Sequence, residues 1–416
     1  MPNQIFEGIK VVEFSWAGVG PLTSTYLAEH GATVVKVETH SRLDPLRGSS
    51  PFATKTPNPD SSMMYGRFNP NKYCVTIDLQ HPNGKKLVWK LLLWADIITE
   101  SFSPGTMAKL GIGYEDIRKV KPEIIYLSTS MQGGGGPHSS YSGFGMNAVN
   151  LSGFSEISGW PDKMQAAPQG AYTDFICPRF DILAILAALI YRRQTGQGQW
   201  IEQSQFETSL HFLASPLMDY QINGNIMSRN GNRLANAAPH GVFQCRGNDN
   251  WVAIAVLNEN QWQSFCQAID NPSLCVQADY ATLANRKQNE ESLEKLVTEW
   301  TMGRTAEEAE IILQQFGVPA HKVEKPVDVY GDPQLASRNY FVPLQHPVMG
   351  EQKYEAHSCF ILSRTPRQVK RPSPCLGEHN EYVYKELLKM SDEEIAQHLI
   401  DGSITTELPV AFKASM

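Results

Sequence analysis

The sequence predicts an α/β fold with a Rossmann-like, doubly wound sheet. Two features carry that expectation: a strand, a glycine turn, a helix and a second strand open the chain, and further apolar runs of strand length alternate with segments of helical period after them. In chain order, IKVVEF from Ile9 reads as a strand, AGVGPL as a turn, TSTYLAEHG as an apolar-periodic helix and ATVVKVE as a parallel strand, together one βαβ unit. Val75 to Leu79 follows as a strand, Gly84 to Leu93 as a helix, and Ala95 to Thr99 and Ile124 to Ser128 as two further strands.

The segment after Asp174, CPRFDILAILAALIYRRQTGQGQW, reads as a buried helix. Pro178 is suited to open it, Arg192 and Arg193 suit its last turn, and Gly196 and Gly198 end it. Asn223 to Ala238 is rich in Asn and Gly and breaks the pattern, which marks a boundary. The expected layout is a large domain over 1–222, a smaller α/β or α+β domain over 223–331, and a return of 332–416 to the large domain. In the smaller domain WVAIAVL reads as a strand, and Gln261 to Ile269, Glu291 to Trp300 and Ala306 to Phe316 as helices.

Composition narrows the function. Thirty-six basic against forty-three acidic residues give a net charge of −7, with no Lys/Arg-rich tract able to follow a phosphate polymer, so nucleic acid is not an expected partner. The longest apolar stretch, Ile182 to Tyr191, is about half of what a membrane-spanning helix needs. The start of the chain shows no basic region followed by an apolar one, and a soluble, cytoplasmic protein is expected. Seven cysteines lie far apart without metal-ligand spacing, which predicts reduced thiols and no metal site.

Taken alone, the N-terminus imitates a dinucleotide site, because Gly18 and Gly20 follow a strand and Glu38 ends the next one. The imitation fails at the third glycine, where Thr23 stands, with Pro21 in the first helical turn. Gln132 to Ser142, QGGGGPHSSYS, is a second glycine-rich segment and reads as a surface loop or a place of close backbone approach.

Several blocks in order carry a more specific resemblance. They are GIKVVEF with GPLTSTYLAEHGATVVKVE, NKYCVTIDLQHPNGKK, ADIITESFSPGTMAKLGIGYEDI, PEIIYLSTSMQGGGGP, YTDFICPRF, RRQTGQGQWIEQSQFE, GDPQLASRNYF and PCLGEHNEYV. From about Gly8 to about Leu388 the chain resembles the family III coenzyme A transferases, the group of formyl-CoA and carnitine-CoA transferases. The resemblance implies a large Rossmann-like domain built from both chain ends, a small domain between them, and two chains interlocked as linked rings. It also implies transfer of CoA from an acyl-CoA to a carboxylic acid, with no cofactor beyond CoA itself.

In this family the nucleophile is an aspartate just before the helix that ends RRxTGxGQ, and the matching residue is Asp174. A carboxylate near a helix N-terminus sits in a favourable dipole. Asp181, a rival one turn into the expected helix, reads as a first-turn dipole partner. For CoA the resemblance implies Ala17, Gly18 and Val19 in the first turn, Lys72, and Ser101, Phe102, Thr106, Lys109 and Leu110. Ser101 stands where Asn is usual, Lys109 where Arg is common, and Thr39 where a basic residue follows the strand. Loss of a bidentate Arg contact points to Arg42 or Arg47 as the replacement for phosphate.

The same fold houses 2-methylacyl-CoA racemases, which use a His in a segment resembling GHDINYLALSG. Here the segment reads GFGMNAVNLSG, so Phe144 replaces that base and Gly145 the following Asp, leaving only the loop residue His138 nearby. A third reading is a non-catalytic subunit of a hetero-oligomer, against which the retained Asp174 speaks, and the expected assembly is a homodimer or a pairing with a related chain. Trp16, Tyr65, Phe144, Trp160, Tyr172 and Phe175 lie in or near the blocks expected around the site, with Trp16, Phe144 and Tyr172 the expected substrate pocket. They hint at a bulky acid, and YTDFICPRF resembles the branch that handles aromatic or substituted dicarboxylic acids such as benzylsuccinate, with succinyl-CoA as donor.

Overall fold

The computed structural model describes residues 4–168, 170–356, 359–408 and 412. Two compact units divide the chain. One comprises Met1–Phe154, Ala167–Asn225 and Ala336–Met416, the other Ser155–Ala166 and Ile226–Leu335.

The larger unit is built on six parallel strands: β1 (Lys10–Glu13), β2 (Thr33–Glu38), β3 (Tyr73–Thr76), β4 (Ile97–Glu100), β5 (Ile125–Ser130) and β6 (Gln199–Ser204). Their spatial order, β3-β2-β1-β4-β5-β6, is that of a doubly wound Rossmann sheet. Side chains alternate across such a sheet, so neighbouring residues of β1 feed opposite cores. Val12 joins Val35, Val75, Leu87, Leu91 and Ile98 on one face, and Val11 joins Leu27, Val34, Ile97, Leu127 and Ile185 on the other. Burial on both faces is why the strands read as continuous apolar runs.

The helix Tyr172–Thr195 packs on the first helix, Val19–Glu29. It starts six residues before Pro178, which lies inside it rather than opening it as expected. Tyr172, Ile176 and Cys177 pack on Val19, and that burial sustains an additional turn which the proline's preference for a helix start would not have supplied. Its end is as the sequence predicts, with Gly196 left-handed at φ 76°. By contrast, the helix Ala214–Asn223 buries none of its residues.

The smaller unit holds an antiparallel sheet of β7 (His240–Gln244), β8 (Trp251–Ala255) and β9 (Ala320–Lys322). The helices Glu259–Ala268, Glu290–Met302 and Ala306–Gln315 contribute Trp262, Phe265, Leu293, Val297 and Leu313 to one core with Val252 and Ile254. Trp160, expected near the substrate, belongs to this unit and is half exposed beside Gly231. Among the described residues no helix is long and apolar enough to cross a membrane, and no cluster of His, Cys, Asp or Glu could hold a metal ion.

Candidate active site

In a doubly wound sheet, ligands bind beyond the carboxyl ends of the strands where the order reverses, which here is between β1 and β4. The chain leaves β1 through Ser15, Trp16, Ala17 and Gly18, and leaves β4 through Ser101 and Phe102. The two exits are tied together. Ser101 Oγ accepts the Trp16 N–H at 2.9 Å and donates to the Trp16 carbonyl at 3.2 Å, and the Trp16 and Phe102 rings meet edge to face at 5.1 Å. Ala17 takes the left-handed conformation, φ 58°, and turns the chain into the first helix.

Asp174 lies in the first turn of the helix Tyr172–Thr195 and reaches this turn. Its carboxylate lodges between two glycines: a Cβ at Gly18 would lie 2.6 Å from Oδ2, and one at Gly145 would collide with Oδ1. Any side chain at either position would displace the carboxylate. Among the described residues no side chain pairs with or donates to this carboxylate, and desolvation alone pushes its pKa up to about 7. Asp181, two turns further on, is sealed from solvent and accepts a hydrogen bond from Thr23 Oγ1 at 3.0 Å. Burial pushes it up to about 7 as well. It has no access to a ligand, so its role is internal rather than that of a first-turn dipole partner.

The remaining expected site residues divide into those that face this turn and those that do not. Ala17, Gly18 and Val19 form the turn and helix start, Phe102 covers Trp16, and Tyr172 packs on Val19 and meets Phe154 at 5.4 Å. Phe144 is 68% exposed immediately before Gly145. Thr106 opens and Lys109 closes the short helix Thr106–Lys109 after β4, with Lys109 exposed and Leu110 packed on the core.

Arg47 and Lys72 lie elsewhere. Both were expected to meet phosphate, and both are fully buried. The Arg47 guanidinium spans Glu38 through Nε and Nη2 at 2.9 and 2.8 Å, reaches Asp60 at 2.7 Å and donates to the Tyr65 hydroxyl at 2.6 Å. Lys72 has three protons to donate and three internal acceptors: Glu13 at 2.8 Å, the Pro21 carbonyl at 2.9 Å and Asn69 at 2.9 Å. A phosphate could reach either cation only by breaking these contacts. Tyr65 is buried in the same network and is not a pocket residue. Arg42, the other replacement cation considered, is exposed, and its guanidinium lies 5.1 Å from the centre of the Trp16 ring.

Sequence reasoning did not identify three participants. Asp44 accepts the Ala17 N–H at 3.2 Å, and nothing local to Asp44 signals it. Glu100, at the end of β4, is buried, accepts the Phe102 N–H at 2.8 Å and is pushed up to about 7 by desolvation. Gly145 was noted only for what it replaces, although a glycine opening a helix was a signal that something packs against it.

The profile of CoA-transferase family III matches residues 6–380. The chain is 29% identical over 397 residues to a succinyl-CoA–D-citramalate CoA-transferase of Chloroflexus aurantiacus, covering 95% of this chain and 97% of that one. It is 31% identical to the alpha subunit of a succinyl-CoA–L-malate CoA-transferase of the same organism, covering 93% and 90%. A crystal structure of a CaiB/BaiF family protein from Brucella suis superposes with a TM-score of 0.85 at 28% identity, covering 92% of this chain and all of that one. Matched by the family model over residues 6–380 and by relatives along nearly all of its length, the chain belongs to CoA-transferase family III, the acyl-CoA:carboxylate CoA-transferases.

Proposed function

We propose that Asp174 is the nucleophile of this transferase and that CoA passes through an aspartyl-CoA thioester. The observation that carries the reading is the seat of the Asp174 carboxylate between Gly18 and Gly145, free of ion pairs and desolvated, beside the exits of β1 and β4. A carboxylate oxygen of Asp174 attacks the thioester carbonyl of the donor, the C–S bond breaks, and a mixed anhydride and CoA thiolate result. The thiolate then attacks the Asp174 carbonyl carbon, the anhydride C–O bond breaks, and the donor acid leaves. An acceptor carboxylate attacks the aspartyl thioester carbon, the C–S bond breaks to release CoA thiolate, and a second anhydride forms. The thiolate attacks the acceptor's acyl carbon and restores Asp174. Holding the thiolate close makes each return step intramolecular. Thioester energy is kept throughout, so the reading calls on no cofactor beyond CoA.

For substrates we favour succinyl-CoA as donor, as in the names of the relatives above, and a dicarboxylic acid as acceptor, including aromatic-substituted ones such as benzylsuccinate. Support for a bulky acceptor comes from the exposed rings of Phe144 and Phe175 near Asp174. Two copies, or one with a related chain, would cover the exposed Leu217, Met218, Tyr220 and Ile222 of the helix Ala214–Asn223.

The test is to incubate the protein with succinyl-CoA, quench with hydroxylamine and map the modified peptide by mass spectrometry, then screen mono- and dicarboxylic acceptors. A hydroxamate at Asp174 is expected. Modification at another carboxylate, or proton exchange beside the thioester without transfer, would overturn the reading.

A further inference from the structure

The turn Ser15–Gly18 is held from both sides by groups that do not face the crevice. Lys36, fully buried on β2, donates from Nζ to the Ser15 carbonyl at 2.6 Å and lies 3.1 Å from Asp44 Oδ2. Asp44, also fully buried, accepts the Ala17 N–H at 3.2 Å and the Leu46 N–H at 3.0 Å through Oδ1. The Lys36–Asp44 pair therefore grips the backbone on either side of Trp16, while Ser101 binds the N–H and carbonyl of Trp16 itself. Between these grips Ala17 adopts φ 58°, which residues with a Cβ seldom adopt unless the surroundings fix it. The next residue is Gly18, the wall of the Asp174 seat.

We infer that Asp44, fixed by Lys36, is a positioning residue for the reaction: its Oδ1 holds the Ala17 N–H and with it the left-handed turn that sets Gly18 against Asp174. This rests on the reading of Asp174 as nucleophile. Asp44 does not touch a reacting atom. It acts by keeping the turn where the carboxylate and the bound thioester must meet, and a small displacement there is costly to rate.

Two substitutions separate position from charge. Asp44→Asn keeps a carbonyl oxygen for the Ala17 N–H and gives up the charge opposite Lys36. Asp44→Glu keeps the charge and moves the oxygen by one methylene. For each, kcat and KM for succinyl-CoA are measured per folded molecule, with thermal denaturation recorded alongside. We expect Asp44→Asn to retain kcat within about threefold despite a lower melting temperature, and Asp44→Glu to lose about tenfold or more in kcat. Activity that follows the charge, with Glu active and Asn inactive, or kcat unchanged in both, would overturn the assignment. Hydroxylamine trapping on the unaltered protein keeps the two readings apart. Absence of label at Asp174 removes the nucleophile, whereas label at Asp174 with kcat indifferent to both substitutions removes only the role of Asp44.

Discussion

Two neighbouring groups of carboxylates in the larger unit are treated in opposite ways. At the ends of β2 and β1, Glu38 is paired with Arg47 and accepts the Tyr65 hydroxyl at 2.7 Å, while Glu13 lies between Lys36 and Lys72. At the mouth of the sheet, Asp174 has neither ion pair nor donor among the described residues. Although burial opposes ionisation in both, Arg47 holds Glu38 down at about 2, whereas Asp174 is pushed up to about 7. The fold satisfies Glu38 completely, whereas it leaves Asp174, at the exits of β1 and β4, without a cation or a donor among the described residues.

The largest test of that contrast is Asp174→Ala. Steady-state assays should show transfer reduced by about a thousandfold or more, with the melting temperature kept or raised, because an uncompensated desolvated acid is removed. Arg47→Met attacks the other side. Leaving Glu38 buried without its partner should destabilise the fold by about 3 to 5 kcal/mol in urea denaturation. Gly145→Ala comes next. The new methyl displaces the Asp174 carboxylate, and kcat should fall by about a hundredfold while circular dichroism stays unchanged.

Solution pH sharpens the comparison with smaller effects. Glu38 is lowered from 4.5 to about 2, so its pairing contributes stability above about pH 4.5 that is lost as pH falls through 2. Asp174 is raised from 3.8 to about 7, so ionising it opposes folding increasingly from pH 4 and fully above 7. Asp174→Asn should therefore raise the melting temperature at pH 8, with the gain vanishing near pH 4. On the proposed mechanism the ionised Asp174 attacks, so the transfer rate of the unaltered protein should climb as pH rises through about 7 and then level, a profile that stopped-flow or steady-state assays can record.

What could be read in the sequence was what depends on local pattern. β1 to β5 announced themselves as apolar runs because both faces of the sheet are covered, and the glycine at position 196 marked a helix end through its own geometry. β6, Gln199–Ser204, carries Gln, Glu and Gln among its apolar residues at the sheet edge and gave no such signal. Asp174 could be singled out through its block; the sequence reading puts it before an apolar helix, and the structure puts it in the first turn of that helix. The fates of Arg47 and Lys72 were not legible, since Lys72 meets Glu13 across 59 positions of sequence, and only the fold decides whether a cation faces a phosphate or a neighbour's carboxylate. Gly145 and Asp44 were hidden for the same reason: each matters through an atom of a residue brought close by topology.

Pro178 has a consequence for motion. A proline has no N–H, so inside a helix it leaves the carbonyl four residues earlier without its amide partner, and here that carbonyl belongs to Asp174 itself. The first turn is thereby fastened to the body of the helix by one rung fewer, while Ile182, Ile185 and Ala188 stay clamped in the core. Asp174, the residue proposed to attack, thus sits at the less firmly fastened end of a helix whose body is fixed. On the proposed mechanism, adjustments of that end as groups come and go on the carboxylate would be taken up at Pro178, where helices bend, and would leave the sheet in place.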